Sequence, residues 1–235
     1  MQKDRVEKML EMFRLQNRLN DDTNGPKWRE GVTKQGKLIN WKRCMVMETA
    51  ELIDSFSWKH WKNISGGIDL ENIKVEMVDI WHFVMSYILR FQDPDEAAKL
   101  ALEMMKMSAV KLPKSWSESD NARIEELLEP FENFMALALI KTDDEAYRRE
   151  LLEQFWECVD AVGLSFDDLY RLYIGKNALN QFRQMHGYKE GTYKKIWNRK
   201  EDNVVMQEIL AENPDITYEE LLRRLGERYS LVGSR

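Results

Sequence analysis

Two cysteines in 235 residues, Cys44 and Cys158, are too few for a disulfide framework or a cysteine-rich zinc site, and both read as small apolar residues. Only five prolines and eleven glycines interrupt the chain. No apolar run approaches the roughly 20 residues that span a bilayer. The opening MQKDRVEKML lacks the apolar stretch of an export signal. Basic residues number 35 against 41 acidic ones, and a net charge of −6 excludes a general binder of nucleic acid or of membrane surfaces. Alternating strands of useful length, repeats and low-complexity tracts are also missing. What is present is 43% hydrophobic residues, enough for a substantial core. The expectation is a cytoplasmic, all-α protein, folded as a single domain over residues 1–235.

Apolar spacing is helical almost throughout. It predicts helices at about 2–20, 38–57, 70–92 and 95–108, the first ended by NDDTNG and the stretch of about 21–37 left irregular. A loop is expected around Ser65-Gly66-Gly67, and a polar break from Lys111 to Asp120. The next helix starts near 121, where Pro130 should kink or divide it. Further helices fit about 143–162, 166–186, 201–212 and 217–229.

Chemistry concentrates first in two acid pairs. Glu48 and Glu51, like Glu76 and Asp79, stand at i, i+3, so each pair leaves one helix face. The surrounding runs, CMVMETAELIDSF and IKVEMVDIWHFVMSYIL, are mostly apolar. Packing the two helices together would crowd four carboxylates, which repel one another and lose hydration. A divalent cation offsets both penalties, and hard oxygen donors favour Mg²⁺ or Mn²⁺. A di-iron carboxylate protein is the rival, because Asp79-x-x-His82 matches half of such a site. The first pair has no histidine after it, and His60 and His186 lie elsewhere.

A second signal is the basic stretch from Gly175 to Lys195. Lys176, Asn180 and Arg183 form one helical stripe, followed by a glycine-punctuated segment carrying Tyr188, Lys189 and Lys195. Such cations suit a polyanion, and beside a carboxylate cluster they suggest metal-assisted phosphate chemistry. Gln16 and Asn20, at i, i+4, offer amides suited to a base edge, and Trp58, Trp61 and Phe83 offer rings for stacking.

Gln16-x-x-x-Asn20-Asp21, ETAELIDSFSWKHWK, EMVDIWHF and GKNALNQFRQMHGYKEGTYKKIWN, in this order, resemble the dimeric all-α dUTPases of the wider all-α nucleoside triphosphate pyrophosphatases. The middle stretch, about 95–160, carries no such motif and reads as a less typical helical insertion. The resemblance implies a helical bundle that forms a homodimer and hydrolyses dUTP, and dUDP, to dUMP with Mg²⁺. It implies that Glu48, Glu51, Glu76 and Asp79 hold metal, with Glu48 and Glu51 catalytic and Glu51 favoured as base. It places Lys176, Arg183, Tyr188, Lys189 and Lys195 on phosphates and Asn180 at the deoxyribose. Gln16 and Asn20 would read uracil in a pocket lined by Trp61, His82 and Phe83. Another nucleotide such as dCTP remains an open alternative substrate.

Overall fold

The computed structural model describes residues 2–61, 68–106, 121–214 and 216–232. The expected loop at 65–67 and polar break at 111–120 lie outside them. Nine α-helices are found among the described residues: α1 Gln2–Asn24, α2 Trp41–Asp54, α3 Leu70–Ile88, α4 Pro94–Met104, α5 Asn121–Ala138, α6 Glu145–Ala161, α7 Phe166–Met185, α8 Asp202–Glu212 and α9 Tyr218–Ser230. No described helix is long and apolar enough to cross a membrane.

Local chemistry explains most of the boundaries. The side chains of Asn40, Asp69, Asp93, Asp144, Ser165 and Thr217 each accept a hydrogen bond from a backbone amide in the first turn of the helix that follows. Helix α1 runs one turn further than NDDTNG suggests. Gly25, at φ +86°, takes the left-handed conformation that ends it, and its amide donates to the Asp21 carbonyl. Pro130 sits inside α5 without dividing it. A hairpin of two-residue strands, β1 Ile196–Trp197 and β2 Lys200–Glu201, is too short to leave a periodic trace in the sequence. Its turn residues Asn198 and Arg199 both take positive φ.

Helix α2 packs along α3, α5 covers α2 and α6, and α1 lies against α4 and α7. Their shared core includes Phe13, Trp28, Met45, Trp81, Phe131, Phe155 and Trp156, all buried. A second apolar cluster joins the end of α7 to α8 and α9 through Phe182, Trp197, Met206, Ile209, Leu221 and Leu225. Gly175 permits the close approach there, because a Cβ at that position would stand 2.6 Å from Leu210 and from Met206. The hairpin and α8 are thereby seated beside the α3–α7 contact, where the polar groups gather.

Candidate active site

Helices α2 and α3 bring the acids together, and α7 faces them with cations. One cavity of about 490 Å³ is lined by Glu48, Glu51, Glu76, Asp79, Lys176, Arg183 and Lys195. Oxygen atoms of Glu48, Glu76 and Asp79 lie within 4.8 Å of one another. Glu51 stands on the exposed rim and is shared with an apolar groove of about 540 Å³ formed by Met47, Ile53, Trp58 and Met135. The join between α2 and α3 is fixed by Asn72, which donates to the Ser55 hydroxyl (2.9 Å), and by the Asp69 amide, which donates to the Ser55 carbonyl (3.0 Å).

The acid cluster is electrostatically strained as a set. Burial first, then repulsion from Asp79, Glu51 and Glu76, raises the Glu48 carboxyl to about 8. Burial and Asp79 raise Glu76 to about 7, and the hydrogen bond between the Glu48 and Glu76 carboxyls requires a proton. Asp79 is paired with the Lys176 ammonium at 2.8 Å. Three hard oxygen donors crowded against their own repulsion fit a divalent cation, whose charge would remove the strain. His82 is not among these ligand atoms.

Amides and rings form a separate buried network beneath the acids. Gln16 Nε2 donates to Ser86 Oγ (2.9 Å) and to Asn20 Oδ1 (3.3 Å), and Asn20 Nδ2 donates to Ser86 Oγ (3.0 Å). His82 Nδ1 donates to Gln16 Oε1 at 2.6 Å, and the Tyr173 hydroxyl reaches the same oxygen at 3.1 Å. Burial holds the His82 imidazole neutral, with its pKa lowered to about 3. Its Nε2 is then a buried lone pair with no donor among the described residues. Phe83 packs on Trp41 at 6.0 Å, while Trp61 is exposed and meets Trp58 and His60 edge-on.

The remaining cationic residues divide. Arg183 is buried and bonds the carboxylate of Asp202 through Nε and Nη2, each at 2.8 Å, and its Nη1 donates to Asn180 Oδ1 at 3.1 Å. Burial alone would raise Asp202, yet Arg183 and Tyr193 hold it below the ordinary carboxylate range. Tyr188 is exposed, with the Arg183 guanidinium 5.7 Å from its ring centre. Lys189 is also exposed and donates to the Thr23 carbonyl. The segment around them is folded into turns: the Thr192 amide donates to the Gly187 carbonyl, and the Tyr188 amide to that of Arg183. Gly187 is required there, because a Cβ would stand 2.1 Å from Thr192 Oγ1. Asp202, Asn203 and Gln207 were not singled out by sequence, although Glu201-Asp202-Asn203 is an acid–amide run just before an apolar helix.

An all-α fold that confronts carboxylates with cations across one cavity has the parts for phosphate-ester or anhydride hydrolysis. The family model described as dUTPase matches residues 8–188, and the chain belongs to that family. It is accordingly a dUTP diphosphatase, of a family whose enzymes use a divalent metal. No curated protein matches it.

Proposed function

We propose that the cavity binds Mg²⁺-bound dUTP, and dUDP, and releases dUMP with pyrophosphate or phosphate respectively. The observation that carries this reading is the convergence of Glu48, Glu76 and Asp79 opposite Lys176, Arg183 and Lys195 in one cavity. A cation held by Glu48, Glu76 and Asp79, with Glu51 beside them, supplies charge neutralisation at the phosphate oxygens. Glu51, at the open rim, accepts the proton of the attacking water as a new phosphorus–oxygen bond forms. The anhydride bond breaks in line, and Lys176, Arg183 and Lys195 balance charge on the departing oxygen. Tyr188 and Lys189 approach the outer phosphates and Asn180 the deoxyribose.

Uracil is read by the α1 amides. His82 and Tyr173 hold Gln16 Oε1, and Ser86 and Asn20 its Nε2, so the amide orientation is set before substrate arrives. The His82 Nε2 lone pair favours a base bearing an N3–H, which uracil has and cytosine lacks. Trp61 and Phe83 complete this pocket. The chain acts as one domain in a homodimer, a reading supported by exposed Met47, Trp58, Leu139 and Ile140.

A pyrophosphate-release screen of the common nucleotides, with and without Mg²⁺, tests the proposal. Metal-dependent turnover of dUTP far above dCTP is expected. Equal kcat/KM for the two, or turnover indifferent to chelation, overturns it.

A further inference from the structure

Three cations face the acidic cavity, and two consecutive residues outside the family-matched span fasten all of them. Asp202 and Asn203 open α8, fourteen and fifteen positions beyond residue 188. The Asp202 carboxylate is fully buried. It accepts from Arg183 Nε and Nη2, from the Tyr193 hydroxyl (2.7 Å) and from the Asn203 amide (2.9 Å). The Asp202 amide donates to the Lys195 carbonyl at 3.0 Å, which fixes where Lys195 enters the cavity wall. Asn203 Oδ1 accepts from the Lys176 ammonium at 3.1 Å and lies 3.5 Å from Arg183 Nη2.

A flexible lysine and a long arginine lose much of their usefulness if they must be ordered at the moment a phosphate arrives, because ordering costs rotamer entropy. The Asp202 carboxylate engages one edge of the guanidinium, Nε with Nη2, and thereby sets the direction of Nη1. It also supplies the counter-charge without which a buried guanidinium would be strongly destabilising. Asn203 orients Lys176 through a neutral acceptor, and the counter-charge of that ammonium comes from Asp79.

We propose that Asp202 and Asn203 are positioning residues for the hydrolysis: they hold Arg183, Lys176 and Lys195 in phosphate-binding geometry. The module of β1, β2, α8 and α9 is thereby part of the active site. The inference rests on the phosphate reading of the cavity given above.

Double-mutant cycles on the full chain test it, with the dissociation constant of an α,β-imido dUTP analogue and Mg²⁺ as readout, which survives loss of turnover. Arg183→Ala should weaken binding about a hundredfold and Asp202→Asn about tenfold, while the double variant should bind no worse than Arg183→Ala alone. Asn203→Ala should weaken binding severalfold, and that effect should vanish in a Lys176→Ala background. A merely structural role predicts otherwise: the Asp202→Asn loss would multiply undiminished on top of Arg183→Ala, and that result overturns the proposal. If Arg183→Ala and Lys176→Ala bind as tightly as the parent, the phosphate reading itself has failed, and the positioning role falls with it. Melting curves show whether Asp202→Asn is folded at the assay temperature. Should it not be, the Asn203–Lys176 cycle decides alone, additive losses there counting against the proposal.

Discussion

Helices α3 and α7 carry two buried polar clusters side by side, built on different principles. At Glu76 and Asp79, α3 presents like charges, and among the described residues their one direct cationic partner is Lys176, paired with Asp79. Two turns further, His82 and Ser86 of the same helix meet Gln16, Asn20 and Tyr173, where nearly every donor finds an acceptor. Asn177 extends this network by donating to Tyr173 and accepting from Tyr218. A satisfied network stabilises the fold and holds its members still. A cluster of mutually repelling acids raises its own pKa values and is stabilised by whatever brings positive charge. The first is a scaffold with one acceptor at His82 left without a donor among the described residues, and the second is a cluster whose repulsion a bound cation would relieve.

Substitution should separate the two clusters by sign. Removing a charge from the acid cluster has the largest effect. Glu76→Gln should cut dUTP turnover by about a thousandfold or more, the scale on which loss of a preorganised charge-stabilising group acts. The same variant should melt higher than the parent in chelator, because repulsion falls. A parent-like rate would break the comparison.

The amide network should respond in the opposite direction. Gln16→Ala strands the Nδ1–H of His82 and removes a partner of Ser86, a loss of about 1–3 kcal/mol for each buried group left unpaired. Lower thermal stability is expected with and without metal, and the preference for dUTP over dCTP should shrink about tenfold. Unchanged melting would show that the network is less tightly built than its distances imply.

The smallest effect sharpens the contrast through pH. Glu48 at about 8 and Glu76 at about 7 both lie above the ordinary value of 4.5, so the folded state holds more protons than the unfolded one. Their contribution is present at low pH and is lost as pH rises through those values. His82, held near 3 against an ordinary 6.5, acts in the opposite sense, but only below about 6.5. Metal-free protein should therefore melt a few degrees lower at pH about 8 than at about 6.5. Saturating Mg²⁺ should abolish the decline. A flat metal-free curve would mean that the acids do not share protons.

Legibility in the sequence followed distance along the chain. Helix starts were readable because a capping side chain acts on an amide three residues away, as at Asp69 and Ser165. The i, i+3 spacing of Glu48 and Glu51 was readable too, yet α2 packs so that Glu48 joins Glu76 and Asp79 while Glu51 reaches the rim. The pairing of Gln16 with Asn20 is local, but their partner Ser86 lies 66 residues beyond Asn20, and Tyr173 lies 157 beyond Gln16. The segment Gly187 to Lys195, whose glycines and lysines suggest a free basic loop, is folded back by bonds to the end of α7 and by stacking of Tyr193 on Tyr229.

By itself the sequence determined the helical class, most helix starts, the two acid pairs, the basic stripe on α7 and the family to which these belong. These are periodicities and motifs, set by steric and hydrogen-bonding rules acting within a few residues. Only the tertiary structure decided which three acids share a cation's worth of space, that Lys176 pairs with Asp79, and that Asp202 and Asn203 hold the cations from outside the matched span. Those contacts join residues from 19 to 97 positions apart, and they depend on the packing of whole helices. No local rule sees them, because the groups meet only after the core has fixed how α2, α3, α7 and α8 cross.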